Sequence, residues 1–123
     1  MGTRRFSVTV TTDGSGNATA YSPYLSGSIA SIHYVKTDYA DGVDFTITAE
    51  ATGETLWTQS DVNAAASKYP RAPTNTQVGV ASLYASGGTA VNDLIRVSRD
   101  RVKIVIGSGG ATKTGAFIIV TED

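Results

Sequence analysis

Apolar and polar residues alternate along much of the chain with a period of two, the mark of strands that bury one face. Over residues 5–12, Phe6, Val8 and Val10 point one way and Ser7, Thr9 and Thr11 the other. Residues 43–50 repeat the pattern, with Val43, Phe45, Ile47 and Ala49 opposite Asp44, Thr46, Thr48 and Glu50. Residues 29–37 set Ala30, Ile32 and Tyr34 against Ser31, His33 and Val35. Further strands are predicted over 18–24, 55–59, 78–85, 93–98, 101–107 and 112–121, the last with Phe117 and Ile119 opposite Ile118 and Val120. Turn signals fall at 13–17, 38–42, 52–54 and 108–110, and Ser26-Gly27 and Gly87-Gly88 read as breaks. The strands at 93–98 and 101–107 read as a pair turning at Arg99-Asp100.

One segment departs from this rhythm. Ser60 or Asp61 can cap a helix, and Ala64, Ala65 and Ala66 favour it, so a short helix is predicted near residues 61–68. Pro70 and Pro73 end it, and residues 69–77 read as an extended surface loop. About eight strands at this spacing predict a single all-β domain over residues 1–123. The expected fold is an antiparallel β-sandwich, jelly-roll-like, with one short helix. Residues 1–4 and 122–123 are expected to be loose. Both terminal strands are natural places for another chain to pair.

Composition sharpens the fold class. The 17 Thr, 12 Val and 8 Ile outnumber 4 Leu by far. β-branched side chains lose rotamer freedom in a helix and pack well on a pleated sheet. Ten Lys and Arg against 11 Asp and Glu leave a net charge of −1, which argues against a dedicated nucleic-acid binder. The absence of Cys removes disulfides, thiolate zinc sites and Cys nucleophiles, and a single His removes any His-rich metal site. No targeting segment and no membrane span are expected.

Candidate chemistry is sparse. Residues 107–114 approach a phosphate-binding loop, but Thr112 stands where glycine is needed and a strand follows instead of a helix. Asp13, Ser15 and Asn17 mimic the start of a calcium loop, but Ala18 and Tyr24 break the pattern; a hairpin turn is the simpler reading. Asp38, Asp41 and Asp44 place three carboxylates within seven residues, which turn geometry also explains. His33 lacks a nucleophile elbow nearby and reads as a sheet-surface or subunit-contact residue. Arg96, Arg99, Arg101 and Lys103 concentrate positive charge, read as a solvated strand face or a contact for an acidic protein surface. No cofactor, metal or catalytic residue is assigned, and the chain is read as a non-enzyme.

The segment Tyr69-Pro70-Arg71-Ala72-Pro73 is the first candidate partner interface. Tyr and Arg are enriched at binding hot spots, and proline lowers the entropy lost when a loop is held in shape. Arg4 and Arg5 form a second candidate.

Four stretches, 16–38, 42–53, 69–73 and 100–104, together resemble short β-rich proteins encoded among the structural genes of tailed bacteriophages and prophages. The similarity spans nearly the whole chain. It implies a virion component, made in the bacterial cytoplasm, and brings no catalytic residues or cofactor. Small sandwiches of this kind are similar to capsid cement or decoration proteins, which bind the major capsid protein lattice from outside as dimers or trimers. The partners implied are therefore the major capsid protein and further copies of this chain, with neither nucleic acid nor membrane. A neck or tail component is the alternative within that class. A carbohydrate- or receptor-binding sandwich, stacking sugars on Tyr21, Tyr24 and Trp57, is the alternative outside it.

Overall fold

The alternating segments become ten strands in a computed structural model that describes residues 3–73 and 92–122. They are β1 (Thr3–Thr11), β2 (Ala18–Tyr21), β3 (Leu25–Val35), β4 (Val43–Ala49) and β5 (Thr55–Val62). After these come β6 (Ala66–Lys68), β7 (Arg71–Pro73), β8 (Asn92–Asp100), β9 (Val102–Gly107) and β10 (Thr114–Glu122). One sheet runs β1-β10-β3-β8-β7, with β6 also paired to β3; the other runs β2-β9-β4-β5. Every pairing is antiparallel. The chain passes repeatedly from one sheet to the other, so β1-β10-β3-β8 faces β2-β9-β4-β5 in the interleaved order of a jelly roll. The expected all-β sandwich is therefore the observed one.

Inward residues of both sheets make one core. Val8, Val10, Ile32, Tyr34, Phe117 and Ile119 come from the first sheet; Val43, Phe45, Ile47, Val102, Ile104 and Ile106 come from the second. Aromatic rings tie the layers together. Phe45 lies edge-on to Trp57 at 4.8 Å and to Phe117 at 5.2 Å, and Tyr34 stacks on Phe117 at 5.3 Å. Such offset and T-shaped pairs add about 0.5–1.5 kcal/mol each beyond their buried area.

The helix expected near 61–68 is not formed. β5 runs on to Val62, which pairs with Val43 and is buried. Asp61 sits at φ 59° in a bulge, and its N–H donates to the Asp44 carboxylate at 2.8 Å. Ala66–Lys68 then pairs with Ile32–Tyr34 of β3. A helix of eight residues is marginal alone, and here the open flank of β3 offers hydrogen bonds that outweigh alanine's local preference.

Other boundaries also moved. Ser26-Gly27 does not break the chain but lies within β3. The β3–β10 register skips Ala30, so Ile29 and Ile32 both reach the core. The strands around Arg99-Asp100 are not partners, since β8 lies in one sheet and β9 in the other. Asp100 makes that crossing: its buried carboxylate accepts the N–H of Ala51 at 2.9 Å and of Arg101 at 2.7 Å. Thr3 and Arg4 are paired with Glu122 and Thr121 rather than loose. β10 has partners on both sides, so of the two terminal strands only β1 keeps an edge unpaired among the described strands. Arg71–Pro73, expected as loop, is a short strand beside β8. The strand expected over 78–85, the break at Gly87-Gly88 and the loop residues 74–77 lie outside the described residues.

Two turns lock one end of the sandwich. Gly109 N–H donates to Gly16 O at 3.0 Å, and Thr12 Oγ1 donates to Gly110 O at 2.6 Å. Gly16 holds a left-handed backbone, φ 83°, and a Cβ there would lie a tight 3.0 Å from Gly110 N. The phosphate-loop-like stretch is thus a β9–β10 turn packed on the 13–17 turn.

Candidate interaction surface

Strand alternation decides what the outer face of the first sheet carries. Three cross-strand rows run over β1, β10 and β3: Arg5–Val120–Ser31, Ser7–Ile118–His33 and Thr9–Ala116–Val35. Ser67 of β6 extends the middle row, opposite His33. Apart from His33, the side chains inside the margins are short hydroxyls or aliphatics. Val35 is 40% exposed, and Ala116, Ile118 and Val120 are half-buried by one another.

His33 is held within this face. Its Nε2 lies 3.0 Å from Ser31 Oγ and its Nδ1 2.7 Å from Ser67 Oγ, while Tyr69 meets it edge-on at 6.3 Å. Among the described residues no carboxylate orients the imidazole, as a triad would require. The position is the sheet-surface one expected from sequence.

The sequence-predicted interface residues divide. Tyr69 is 59% exposed at the margin of this face. Arg71 is exposed, and its Nη1 donates to Ala30 O at 3.1 Å and Pro70 O at 2.7 Å, which fixes the guanidinium. Pro70 does not belong to the surface: it is among the most deeply buried side chains, where a residue without an N–H fits the gap between β6 and β7. Pro73 pairs with Asn92 through β7–β8. Arg5 lies at the opposite margin of the same face. Arg4, one residue earlier, points to the other side of β1 and lines a cleft with Phe6 and Tyr24.

The remaining candidates are occupied by structural tasks. Asp13 accepts the N–H groups of Ser15 and Asn17 at 2.8 and 3.1 Å, and these bonds hold its pKa below the ordinary carboxylate value. Asp38 accepts Thr114 N–H, Asp41 pairs with Lys36 at 2.9 Å, and Asp44 holds Asp61 N–H, so the three carboxylates serve three separate places. Among the described residues no group of three or more acidic or His side chains converges as a metal site would need. A groove of about 470 Å³ on the outer face of the second sheet has Thr19, Thr46 and Val105 along it and Asp13 and Asp44 at its rim.

The basic cluster is dispersed. Arg101 makes a two-pronged bond to Glu50 at 2.6 and 3.0 Å, which lowers the Glu50 pKa, and lies over the Tyr21 ring at 4.0 Å and the Tyr24 ring at 5.3 Å. Arg96 donates to Ser28 Oγ at 3.3 Å. Trp57 is buried in the core, whereas Tyr21 and Tyr24 are exposed.

Searches against family models, curated proteins and solved structures found no match to the chain. Among the described residues no helix is long and apolar enough to cross a membrane.

Sequence reasoning missed the pairing of Arg99 with Arg4 and Tyr24 around one cleft. Arg99 adopts φ 44° with no glycine or asparagine to announce it, so the residues gave no signal.

Proposed function

We propose that the protein is a bacteriophage virion structural protein, a capsid cement that docks the outer face of β1-β10-β3-β6 onto the major capsid protein lattice. One observation carries the reading: the outer sheet face on which Val120, Ile118, Ala116 and Val35 form an apolar stretch between Arg5 on one side and Tyr69 with Arg71 on the other. Short Ser and Thr side chains lose little rotamer freedom on docking, and Tyr and Arg at the margin are the residue types that dominate binding energy. The preset Arg71 guanidinium lowers the ordering cost further. A protein that binds only the assembled lattice stabilises it by mass action, and dimeric or trimeric copies add avidity across symmetry axes. The phage setting comes from the sequence resemblance; fold alone does not assign it.

The sugar-binding alternative is weakened by two placements. Trp57 is in the core, and one face of Tyr21 is covered by Arg101.

The test is stoichiometry with mutagenesis. Quantitative mass spectrometry of purified particles should count hundreds of copies. Arg71→Glu and Tyr69→Ala should lower occupancy while leaving the circular dichroism of the free protein unchanged. About six or twelve copies would instead indicate a ring at the neck or tail. Absence from mature particles, or full occupancy by both variants, would remove the reading.

A further inference from the structure

We propose that the cleft on the other side of β1 binds a carboxylate-bearing, extended segment of another protein chain. The cleft holds about 390 Å³ and is lined by Arg4, Phe6, Tyr24, Leu25, Ser26 and Arg99. That size lies within the ordinary range of ligand sites. Its composition is that of a recognition site: two arginines together with Phe6, Leu25 and Tyr24.

The two guanidiniums are the first argument. Arg101, close by, is neutralised by Glu50, and Lys36 by Asp41. Among the described residues neither Arg4 nor Arg99 has an ion-pair partner. A chain of net charge −1 therefore concentrates two uncompensated cations at one concave place. Guanidinium suits carboxylate because both are planar and bond in pairs.

Preorganisation is the second argument. Tyr24 is 65% exposed, the most exposed large apolar side chain described, yet Arg101 lies over its ring at 5.3 Å. Arg99 holds a left-handed backbone, φ 44°, with its N–H donated to Ser26 Oγ at 2.9 Å. A non-glycine residue in that region is uncommon and marks places where the surrounding structure imposes the shape. Here the imposed shape belongs to a residue that lines the cleft.

The occupant follows from the neighbouring strand. Arg4 and Phe6 belong to β1, which pairs only with β10 among the described strands, so its other edge offers unpaired backbone groups. An extended segment can hydrogen-bond along that edge and send alternate side chains toward the cleft. A carboxylate on one of those side chains meets Arg4 and Arg99. A free anion or an acidic sugar would use the guanidiniums but not the strand edge.

The probe is the peptide fluorescein-Val-Glu-Val-Glu-Val-amide, labelled at its N-terminus, with the matched lysine peptide, N-acetylneuraminate and inorganic phosphate as comparisons. Binding is read by fluorescence anisotropy and by amide chemical shifts. The glutamate peptide should move the amides of Arg4, Phe6, Ser26 and Arg99, and the lysine peptide should not. Arg4→Ala and Arg99→Gly should each weaken binding about tenfold, the size expected for one charge-assisted contact. Glycine adopts the position 99 conformation freely, so Arg99→Gly keeps the fold while deleting the cation. Lys113→Ala, which removes a cation from the β9–β10 turn, should leave binding unchanged. No shifts at millimolar glutamate peptide, equal binding of the lysine peptide, indifference to both arginine substitutions, or saturation by phosphate or N-acetylneuraminate alone would each overturn the proposal. Because Arg4 and Arg99 lie off the outer face of the first sheet, failure here leaves the cement reading standing, and the converse holds.

Discussion

Adding one methyl group at Gly115 should destabilise the fold severely. A Cβ at this position would fall 2.7 Å from Tyr39 Cδ2 and 2.8 Å from its Cζ, closer than side chains approach one another. The ring has nowhere to go. Tyr39 is buried, its hydroxyl donates to Val10 O at 2.7 Å, and it stacks on Tyr34 at 6.1 Å with 16° between planes. Overpacking of this kind costs about 1–3 kcal/mol. Pulling the hydroxyl off Val10 adds about 0.5–1.5 kcal/mol. The expected loss for Gly115→Ala is therefore about 2–4 kcal/mol, which for a domain of this size lowers the melting temperature by roughly 8–15 °C. The sign is informative, because glycine inside a strand is ordinarily the less stable choice, by roughly 0.5–1 kcal/mol against alanine, and Gly115 does not have positive φ. Urea unfolding at constant m-value measures the effect. A double-mutant cycle isolates its cause: in a Tyr39→Leu background the alanine should cost less than about 0.5 kcal/mol, as expected when the clashing partner is gone. A Gly115→Ala protein within that margin of the parent, or a cost that persists without the Tyr39 ring, refutes the reasoning.

Three more outcomes are expected. Tyr34 has a buried hydroxyl with no hydrogen-bond partner among the described residues, so Tyr34→Phe should be neutral or stabilising by up to about 2 kcal/mol; a loss above 1 kcal/mol in denaturant titration would contradict this. Burial raises the phenol pKa of Tyr39 and Tyr34 above the ordinary 10. Their contribution is complete below pH 10 and is lost as pH rises beyond it, because the unfolded chain releases those protons first. The urea midpoint should fall between pH 10 and 11.5, and Tyr39→Phe should flatten the fall; identical pH profiles would count against it. Asp100→Ala leaves the N–H groups of Ala51 and Arg101 without their acceptor and should cost about 2–4 kcal/mol, whereas Asp100→Asn, which keeps one acceptor oxygen, should cost less than half of that. Equal losses in thermal unfolding would deny the capping role.

Strands with a clean period of two were legible because burial enforces that period. Val8 and Val10, then Val43, Phe45, Ile47 and Ala49, then Phe117 and Ile119, all face inward as their spacing required. What failed was non-local. The alanines at 64–66 favour a helix, and only the open flank of β3, more than thirty residues earlier, turns Ala66 into strand. Arg99-Asp100 resembles a hairpin because the sequence cannot show that Asp100 caps Ala51 N–H across the molecule. Within the candidate surface, residue type singles out Tyr69 and Arg71 and the structure leaves both exposed, whereas the burial of Pro70 depends on packing the sequence does not display.

Arg4 and Arg5 show how these levels connect. They are neighbours in sequence and looked like one basic patch, yet alternation sends Arg5 to the outer face of the first sheet and Arg4 to the cleft. A slip of one residue in the β1–β10 register would exchange them and would expose Val8 and Val10 as well. The register is fixed where Val10 pairs with Gly115, and there Tyr39 both covers the glycine and bonds the Val10 carbonyl. Any other residue of β10 opposite Val10 would bring a Cβ against that ring, since Gly115 is the only glycine in the strand. The contact that makes Gly115→Ala costly is thus also the one that assigns each arginine to its own surface.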